Sequence, residues 1–158
     1  MESAAKRAQL IDILRNFPET LTQTVSHLSQ TELTTRSLPE EWTIQEIVHH
    51  LADSHMNSVI RLKLILTTER PTLQGYDQDS WVTLPDVAYT SIEESLLILR
   101  GLHVRWCALW DHLMDDQWQR VGIHTENGPV TPDDLLVTYV EHCQNHLAQI
   151  KRVLAAIA

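Results

Sequence analysis

Hydrophobic residues recur every three or four positions in four long stretches of the chain, and this period constrains the fold more than any other feature. It indicates amphipathic α-helices, because 3.6 residues per turn bring such positions onto one side of a helix. The first stretch runs from about Ala4 to about Leu28 and contains Pro18, where we expect a kink or a short break. Its apolar positions are Leu10, Ile11, Leu14, Phe17, Leu21, Val25 and Leu28.

Each of the other three stretches opens with a residue that caps helices. In the second helix, predicted over about Thr43–Thr68, the first residue and Glu46 form a capping-box pattern. The third helix, predicted over about Ser91–Met114, opens with the same pattern. The fourth, predicted over about Thr131–Ala156, opens with a capping Thr, a Pro at the first helical position and two acidic residues.

The segments between these helices are predicted to be connections. They show neither a helical nor an alternating period, so we find no strand candidate in them: Ser29–Glu41, Glu69–Thr90 and Asp115–Val130. The middle segment is a long loop with three aromatic residues, which we expect to pin the loop to the helices or, alternatively, to line the mouth of a pocket. These residues are Tyr76, Trp81 and Tyr89.

Four amphipathic helices without strands predict an all-α fold, a four-helix bundle in a single domain over residues 1–158. The chain has only 4 glycines and 6 prolines. Sandwiches and barrels need many turns, so this composition argues against them. The two longer connections indicate that the helices do not follow a plain up-down-up-down order.

Composition excludes several classes of partner. A net charge of −9 without any cluster of Lys or Arg argues against nucleic-acid binding. No apolar run is long enough to cross a membrane, and the N-terminus does not resemble a signal peptide. The two cysteines, Cys107 and Cys143, form no disulfide framework and are expected to pack in the core. We therefore expect a cytoplasmic protein that acts on a small-molecule substrate.

A pair of histidines in the fourth helix, His142 and His146, is the first candidate for chemistry. Four residues apart, they lie on one face of the helix, where both imidazoles can reach one metal ion. The apolar side of the helix includes His146 and borders His142, so both are predicted to face the bundle interior or its rim. Buried imidazoles need partners for both ring nitrogens, and a metal ion supplies one.

A third ligand would have to come from another helix, since a catalytic site generally has three protein ligands. The candidates are His49, His50, His55 and His103. Periodicity ranks His55 and His103 highest and His50 lower, but spacing alone does not choose among them. The bland alternative for each is a histidine that only packs in the core or lies on the surface.

Several segments of the chain resemble the YfiT-like branch of the DinB superfamily. The longest is the string WTIQEIVHHLADSHMNS at 42–58, which resembles the second helix of that family. Shorter matches are Ile60–Leu64, the Tyr76–Asp77 turn and Leu102–Trp106, and the paired histidines of the fourth helix fall where the family has its ligands. The resemblance covers nearly the whole chain from about residue 8.

This resemblance implies a four-helix bundle, often a homodimer, in which three histidines hold one divalent ion, nickel or zinc. The ligands that it implies are His50, His142 and His146, so it overrules the ranking of His55 by periodicity. Members of the family are named as metal-dependent hydrolases. Related members are thiol transferases that use bacillithiol or a similar low-molecular-weight thiol, and maleylpyruvate isomerases belong to the wider superfamily.

Two reactions follow from an ion with three histidine ligands and open positions. It can activate a water for hydrolysis, or it can deprotonate a thiol for transfer, and the ligands do not separate the two. A third hypothesis is a metal-binding bundle without catalytic activity. We predict His103 as a general acid/base and Arg105 as an anion anchor; their alternatives are core packing and a surface salt bridge. Asp53 and Glu141 are candidates to accept hydrogen bonds from the ligands, or lie on a solvated face.

Overall fold

Four long α-helices dominate the computed structural model, which describes residues 2–157. Their observed ends lie within a few residues of the predicted ones, and the predicted all-α four-helix bundle is confirmed. The four helices are α1 (Ala4–Val25), α3 (Ile44–Thr67), α6 (Ile92–Asp111) and α7 (Pro132–Ile157).

Side-chain caps fix where the long helices begin. Thr43 and Glu46 form the predicted capping box: the Glu46 N–H donates to the Thr43 hydroxyl at 3.2 Å, and the Thr43 N–H donates to the Glu46 carboxylate at 2.7 Å. Thr131 and Asp134 exchange the same pair of hydrogen bonds at the start of α7. At the start of α6 the Ser91 hydroxyl accepts only from the N–H two residues further on, so this cap is simpler than the predicted box.

Of the kink or short break that we predicted at Pro18, the break does not occur, because α1 continues through this residue. Proline has no N–H, so Pro18 cannot donate to the carbonyl of Leu14 four residues earlier, as every other residue of a helix interior does. That carbonyl is satisfied from outside the helix, since Nδ1 of His103 on α6 lies 2.6 Å from it. The hydrogen bond lost within α1 is replaced by one between two helices.

The order in which the long helices pack departs from a plain up-down-up-down bundle, as the long connections indicated. Helix α1 packs against α6 and α7, and α3 packs against the same two helices. Consecutive long helices such as α1 and α3 therefore lie diagonally across the bundle. The core between them includes Trp106 and Trp110 among its largest fully buried side chains.

The connections contain more regular structure than we predicted. The absence of strands was wrong: β1 (Thr72–Leu73) pairs in parallel with β2 (Gly122–His124), which pairs antiparallel with β3 (Gly128–Val130). Strands of two or three residues are too short to show an alternating period. At the β2–β3 turn Gly128 has a φ of +74°, which favours glycine.

Short helices also occur where we predicted only connections. They are α2 (Gln30–Thr34), α4 (Gln78–Trp81), α5 (Pro85–Tyr89) and a 3₁₀ turn at Gln117–Gln119. Each is a single turn or little more, too short for hydrophobic periodicity to reveal. Within residues 2–157 no helix is both long enough and apolar enough to span a membrane.

Candidate metal centre

Three histidines from two facing helices converge on one point near the rim of the bundle. His50 comes from α3, and His142 and His146 come from successive turns of α7. One ring nitrogen of each lies within 4.8 Å of the others. Nε2 of His50 and Nε2 of His142 are 3.1 Å apart, and the indole ring of Trp42 covers the cluster, 4.8 Å from the ring centre of His50. We call these three residues the histidine cluster.

The cluster is a set of neutral imidazoles at ordinary pH. Burial lowers the pKa of His50 to about 3, and its neighbour His146 adds to this effect. Burial, with the same neighbour, lowers the pKa of His142 to about 2. The pKa of His146 is also lowered by burial. Each ring therefore keeps a nitrogen lone pair, which is the form that binds metal ions.

A side-chain amide orients the ring of His146. Nδ1 of His146 lies 2.7 Å from Oε1 of Gln149, and because that oxygen only accepts, Nδ1 carries the proton. The lone pair of the ring is therefore on Nε2. The Gln149 amide nitrogen donates in turn to Glu41 at 2.5 Å, and Glu41 also accepts from Arg152 at 3.0 Å.

A line of buried imidazoles orients His142 from the opposite side. Nδ1 of His142 lies 3.3 Å from Nε2 of His55, and Nδ1 of His55 lies 2.8 Å from Nε2 of His103. The line ends where Nδ1 of His103 meets the carbonyl of Leu14, the one that Pro18 leaves without an intrahelical donor. We call His103, His55 and His142 the histidine chain.

The position of every proton in the histidine chain follows from its last acceptor. A carbonyl cannot donate, so His103 carries its proton on Nδ1 and its lone pair on Nε2. His55 must then donate from Nδ1 and accept at Nε2, and His142 must donate from Nδ1. The lone pair of His142 is thereby placed on Nε2, which faces His50. Neutral rings are required throughout, and burial lowers the pKa of His103 to about 4 and that of His55 well below its usual range.

The histidines that periodicity ranked highest lie behind the cluster. His55 and His103 are 0% and 2% exposed and point into the core, as the apolar pattern indicated, but they contact a cluster residue or one another. Both nitrogens of His103 are engaged, and Arg105 is exposed on α6. Neither His103 nor Arg105 lines the cavity next to the cluster. Their roles as acid/base and anion anchor stay predictions.

A cavity of about 640 Å³ opens from the cluster between α3, α7 and the small sheet. His142 lines it at the cluster end, and Arg61, Tyr139 and His124 line it further out. Of the loop aromatics, Tyr76 lines this cavity and packs against Trp81 with ring centres 4.4 Å apart and tilted by 44°, whereas Tyr89 is 87% exposed. Of the two roles predicted for these aromatic residues, lining the mouth of a pocket therefore applies to Tyr76.

Sequence reasoning missed Arg61 as a residue of this cavity. An arginine inside a helical pattern ordinarily lies on the solvent face, yet Arg61 is 8% exposed. A signal for it existed: Arg61 follows His50 by eleven residues, or three turns, which places both on the same face of α3.

Helical bundles use side chains on facing helices to hold metal ions, and the histidine cluster is an arrangement of this kind. Comparisons with known proteins identify the family. The chain belongs to the DinB superfamily, whose sequence profile matches residues 13–150. This confirms the resemblance identified from the sequence.

Similar proteins carry names that refer to metal-dependent hydrolysis. "Putative metal-dependent hydrolase YfiT" of Bacillus subtilis is 38% identical over 149 residues, which cover 94% of this chain and 84% of the relative. A protein of Oceanobacillus iheyensis, also named as a putative metal-dependent hydrolase, is 38% identical over 140 residues, covering 89% of this chain and 81% of the relative.

Solved structures share the fold. The structure of Bacillus subtilis YfiT, described as a probable metal-dependent hydrolase with an unusual four-helix bundle topology, superposes with a TM-score of 0.95 at 36% identity. The match covers 99% of this chain and 90% of that one. A mycothiol-dependent maleylpyruvate isomerase superposes with a TM-score of 0.74 at 13% identity, covering 95% of this chain and 63% of that one, so it shows the fold alone.

Proposed function

We propose that this protein is a metal-dependent hydrolase in which His50, His142 and His146 hold one divalent cation. The observation that carries the proposal is the orientation of the rings. Outside partners occupy Nδ1 of His142 and of His146, so that both keep the lone pair on Nε2. Three converging imidazoles with no carboxylate among them suit nickel or zinc, the two ions that we expect.

The cation would supply a Lewis acid that brings the pKa of a coordinated water toward neutrality. The residues of this chain do the rest. The partners of Nδ1 hold the ligand rings in place, as hydrogen bonds to metal-binding histidines do in metal sites generally. Three protein ligands leave coordination positions open, and the cavity at His142 gives a substrate access to them.

Metal content is the direct test. Elemental analysis of protein purified without an affinity tag should give about one ion per chain, and His50→Ala, His142→Ala and His146→Ala should each remove most of it. His27→Ala is the matched control, since His27 is exposed and far along the chain from the cluster. A full equivalent of metal in all three cluster variants would falsify the assignment.

Two further experiments separate hydrolysis from the other hypotheses. The metal-loaded protein should cleave activated esters or amides, and His142→Ala should not. Cobalt-substituted protein should show no thiolate absorption band when a small thiol is added. Appearance of that band together with failed hydrolysis would favour a thiol transferase of the bacillithiol type, and absence of both would favour a non-catalytic metal-binding bundle. The homodimer and the identity of the metal stay predictions.

A further inference from the structure

Arg61 is a buried cation that has no carboxylate partner. Its side chain lies inside the protein, and none of the ion pairs within residues 2–157 includes it. Its Nη2 donates to the carbonyl of Gln74 at 2.7 Å and its Nη1 to the hydroxyl of Tyr139 at 3.4 Å, whereas its Nε is buried without an acceptor. Burying a charge is costly unless an opposite charge accompanies it.

The guanidinium is held in place by groups that leave its charge uncompensated. The Tyr139 hydroxyl donates to the carbonyl of Ser54 at 3.1 Å, so its oxygen is free to accept from Arg61. Tyr76 lines the same cavity, and burial raises the pKa of its phenol to about 12, which keeps this group neutral. The partners of Arg61 are thus a carbonyl and a hydroxyl, which fix its direction without cancelling its charge.

Arg61 and the histidine cluster lie along one cavity. On α3, Arg61 follows His50 by three turns, about 16 Å along the helix axis. Tyr139 bridges the two regions from α7: its hydroxyl contacts Arg61, and its ring centre lies 5.5 Å from that of His142. A ligand in this cavity can therefore contact Arg61 with one end while its other end reaches the cluster.

We propose that Arg61 binds a carboxylate of the substrate, so that the cavity takes an elongated organic acid whose reacting bond lies toward His142. The placement of the reacting bond toward His142 rests on the proposed function, whereas carboxylate binding by Arg61 does not. The planar fork of a guanidinium matches a carboxylate and binds it with paired hydrogen bonds. A single negative charge is favoured over a phosphate dianion, because three exposed acidic residues also line the cavity: Asp77, Glu126 and Asp134.

The test compares a charged probe with a neutral probe of the same shape. Binding of 3-phenylpropionate and of 3-phenylpropanamide is measured by titration calorimetry on the purified protein and on His142→Ala, which lacks a cluster ligand. We expect the carboxylate to bind at least about tenfold more tightly than the amide in both proteins, since the preference comes from Arg61. A carboxylate held by the cation alone would lose its preference in His142→Ala, which would overturn the proposal.

Substitutions locate the preference. Arg61→Met should abolish it, and Arg61→Lys, which keeps the charge but loses the fork, should reduce it severalfold. Arg100→Met is the matched control on an exposed arginine outside the cavity and should leave it unchanged. Equal binding of the two probes to the unmodified protein would overturn the proposal, as would a full preference in Arg61→Met. If Arg61→Met does not fold, an unchanged preference in Arg61→Lys is the contrary result.

The two proposals can fail separately. An Arg61-dependent preference in a protein that binds no metal and cleaves no ester would support carboxylate binding and overturn the hydrolase. Ester cleavage that requires His142, with no preference for the charged probe, would support the hydrolase and overturn the role of Arg61.

Discussion

The two histidines that α7 contributes to the cluster are held from opposite sides by partners of different chemistry. The ring of His142 is hydrogen-bonded to His55, which is fully buried in the core. The ring of His146 is hydrogen-bonded to Gln149, and Gln149 to Glu41. Glu41 forms an ion pair with Arg152, whose side chain is 57% exposed. One support ends at a backbone carbonyl inside the bundle, and the other ends in solvent.

This difference indicates where the cluster tolerates the loss of a hydrogen-bond partner. Water cannot replace a lost partner in the closed core, so a nitrogen of the histidine chain that loses its neighbour stays unsatisfied. At the rim, water can take the place of an amide, and salt screens the exposed charges. We call the hydrogen bonds from His142 to His55 and His103 the inner support, and those from His146 to Gln149 and Glu41 the outer support. We expect the inner support to control metal affinity and the outer support to adjust it.

Acid should act most strongly on the inner support. The pKa of His142 is about 2 and that of His103 about 4 in the folded chain, against roughly 6.5 when unfolded. Below pH 6.5 the unfolded chain binds these protons and the folded chain does not, so stability is complete above pH 6.5 and is lost toward pH 4. Each such ring lowers the free energy of unfolding by up to about 1.4 kcal/mol per pH unit.

Urea unfolding of metal-free protein at pH 7.5 and pH 5 measures this effect. The carboxyl of Asp53 has the opposite effect on stability. Burial raises its pKa to about 6, so on acidification the folded chain binds this proton before the unfolded chain does. The net loss should still be several kcal/mol, because more rings than one titrate below their usual range. His55→Phe should make the loss smaller. Equal stability at both pH values would show that the imidazoles of the histidine chain are not buried as described.

Breaking the histidine chain should weaken metal binding next most strongly. His55→Phe removes the acceptor of the His142 Nδ1–H and the donor to His103, which leaves two buried ring nitrogens without partners. We expect a loss in metal affinity of about 10- to 100-fold, the usual effect of removing a hydrogen-bond partner of a metal ligand. Competition with a chelator measures it. His49→Phe is the control: it changes a buried histidine of the same helix that bonds to Ser95 instead, and it should retain full affinity.

Changing the outer support should have the smallest effect. Gln149→Leu removes the acceptor of the His146 Nδ1–H, which water can replace at the half-buried rim, so we expect a loss in affinity of about tenfold or less. Arg152→Ala breaks only an exposed ion pair with Glu41 and should leave affinity within about twofold. The same chelator competition measures both. A larger loss in Gln149→Leu than in His55→Phe would reverse the proposed ranking of the supports.

The bundle could be predicted from the sequence because its signals are local. Hydrophobic period and capping residues such as Thr43 and Thr131 act within a few residues of themselves, so the ends of the long helices were close to those observed. The strands escaped because Thr72–Leu73 pairs with residues about fifty positions away, and pairing over that distance leaves no local pattern.

The site was harder to predict because its residues do not follow the rule that reveals a core. Periodicity favoured His55 over His50, since His55 points to the middle of the bundle and His50 toward its rim, where an ion and a substrate could reach it. Only the family resemblance selected His50. Arg61 was missed for the related reason that hydrophobic pattern treats every charge as exposed.

The continuous helix around Pro18 has a consequence far from α1. Because the Leu14 carbonyl can only accept, the protons of three successive imidazoles all lie on the side toward α1, and their bond dipoles are aligned. The negative ends of these dipoles face the point where the cluster converges. Aligned hydrogen bonds polarise one another, so a cation at that point would lie in a favourable electrostatic field. The direction of that field is set by one backbone carbonyl, left without an intrahelical donor by Pro18, in a helix that contributes no ligand.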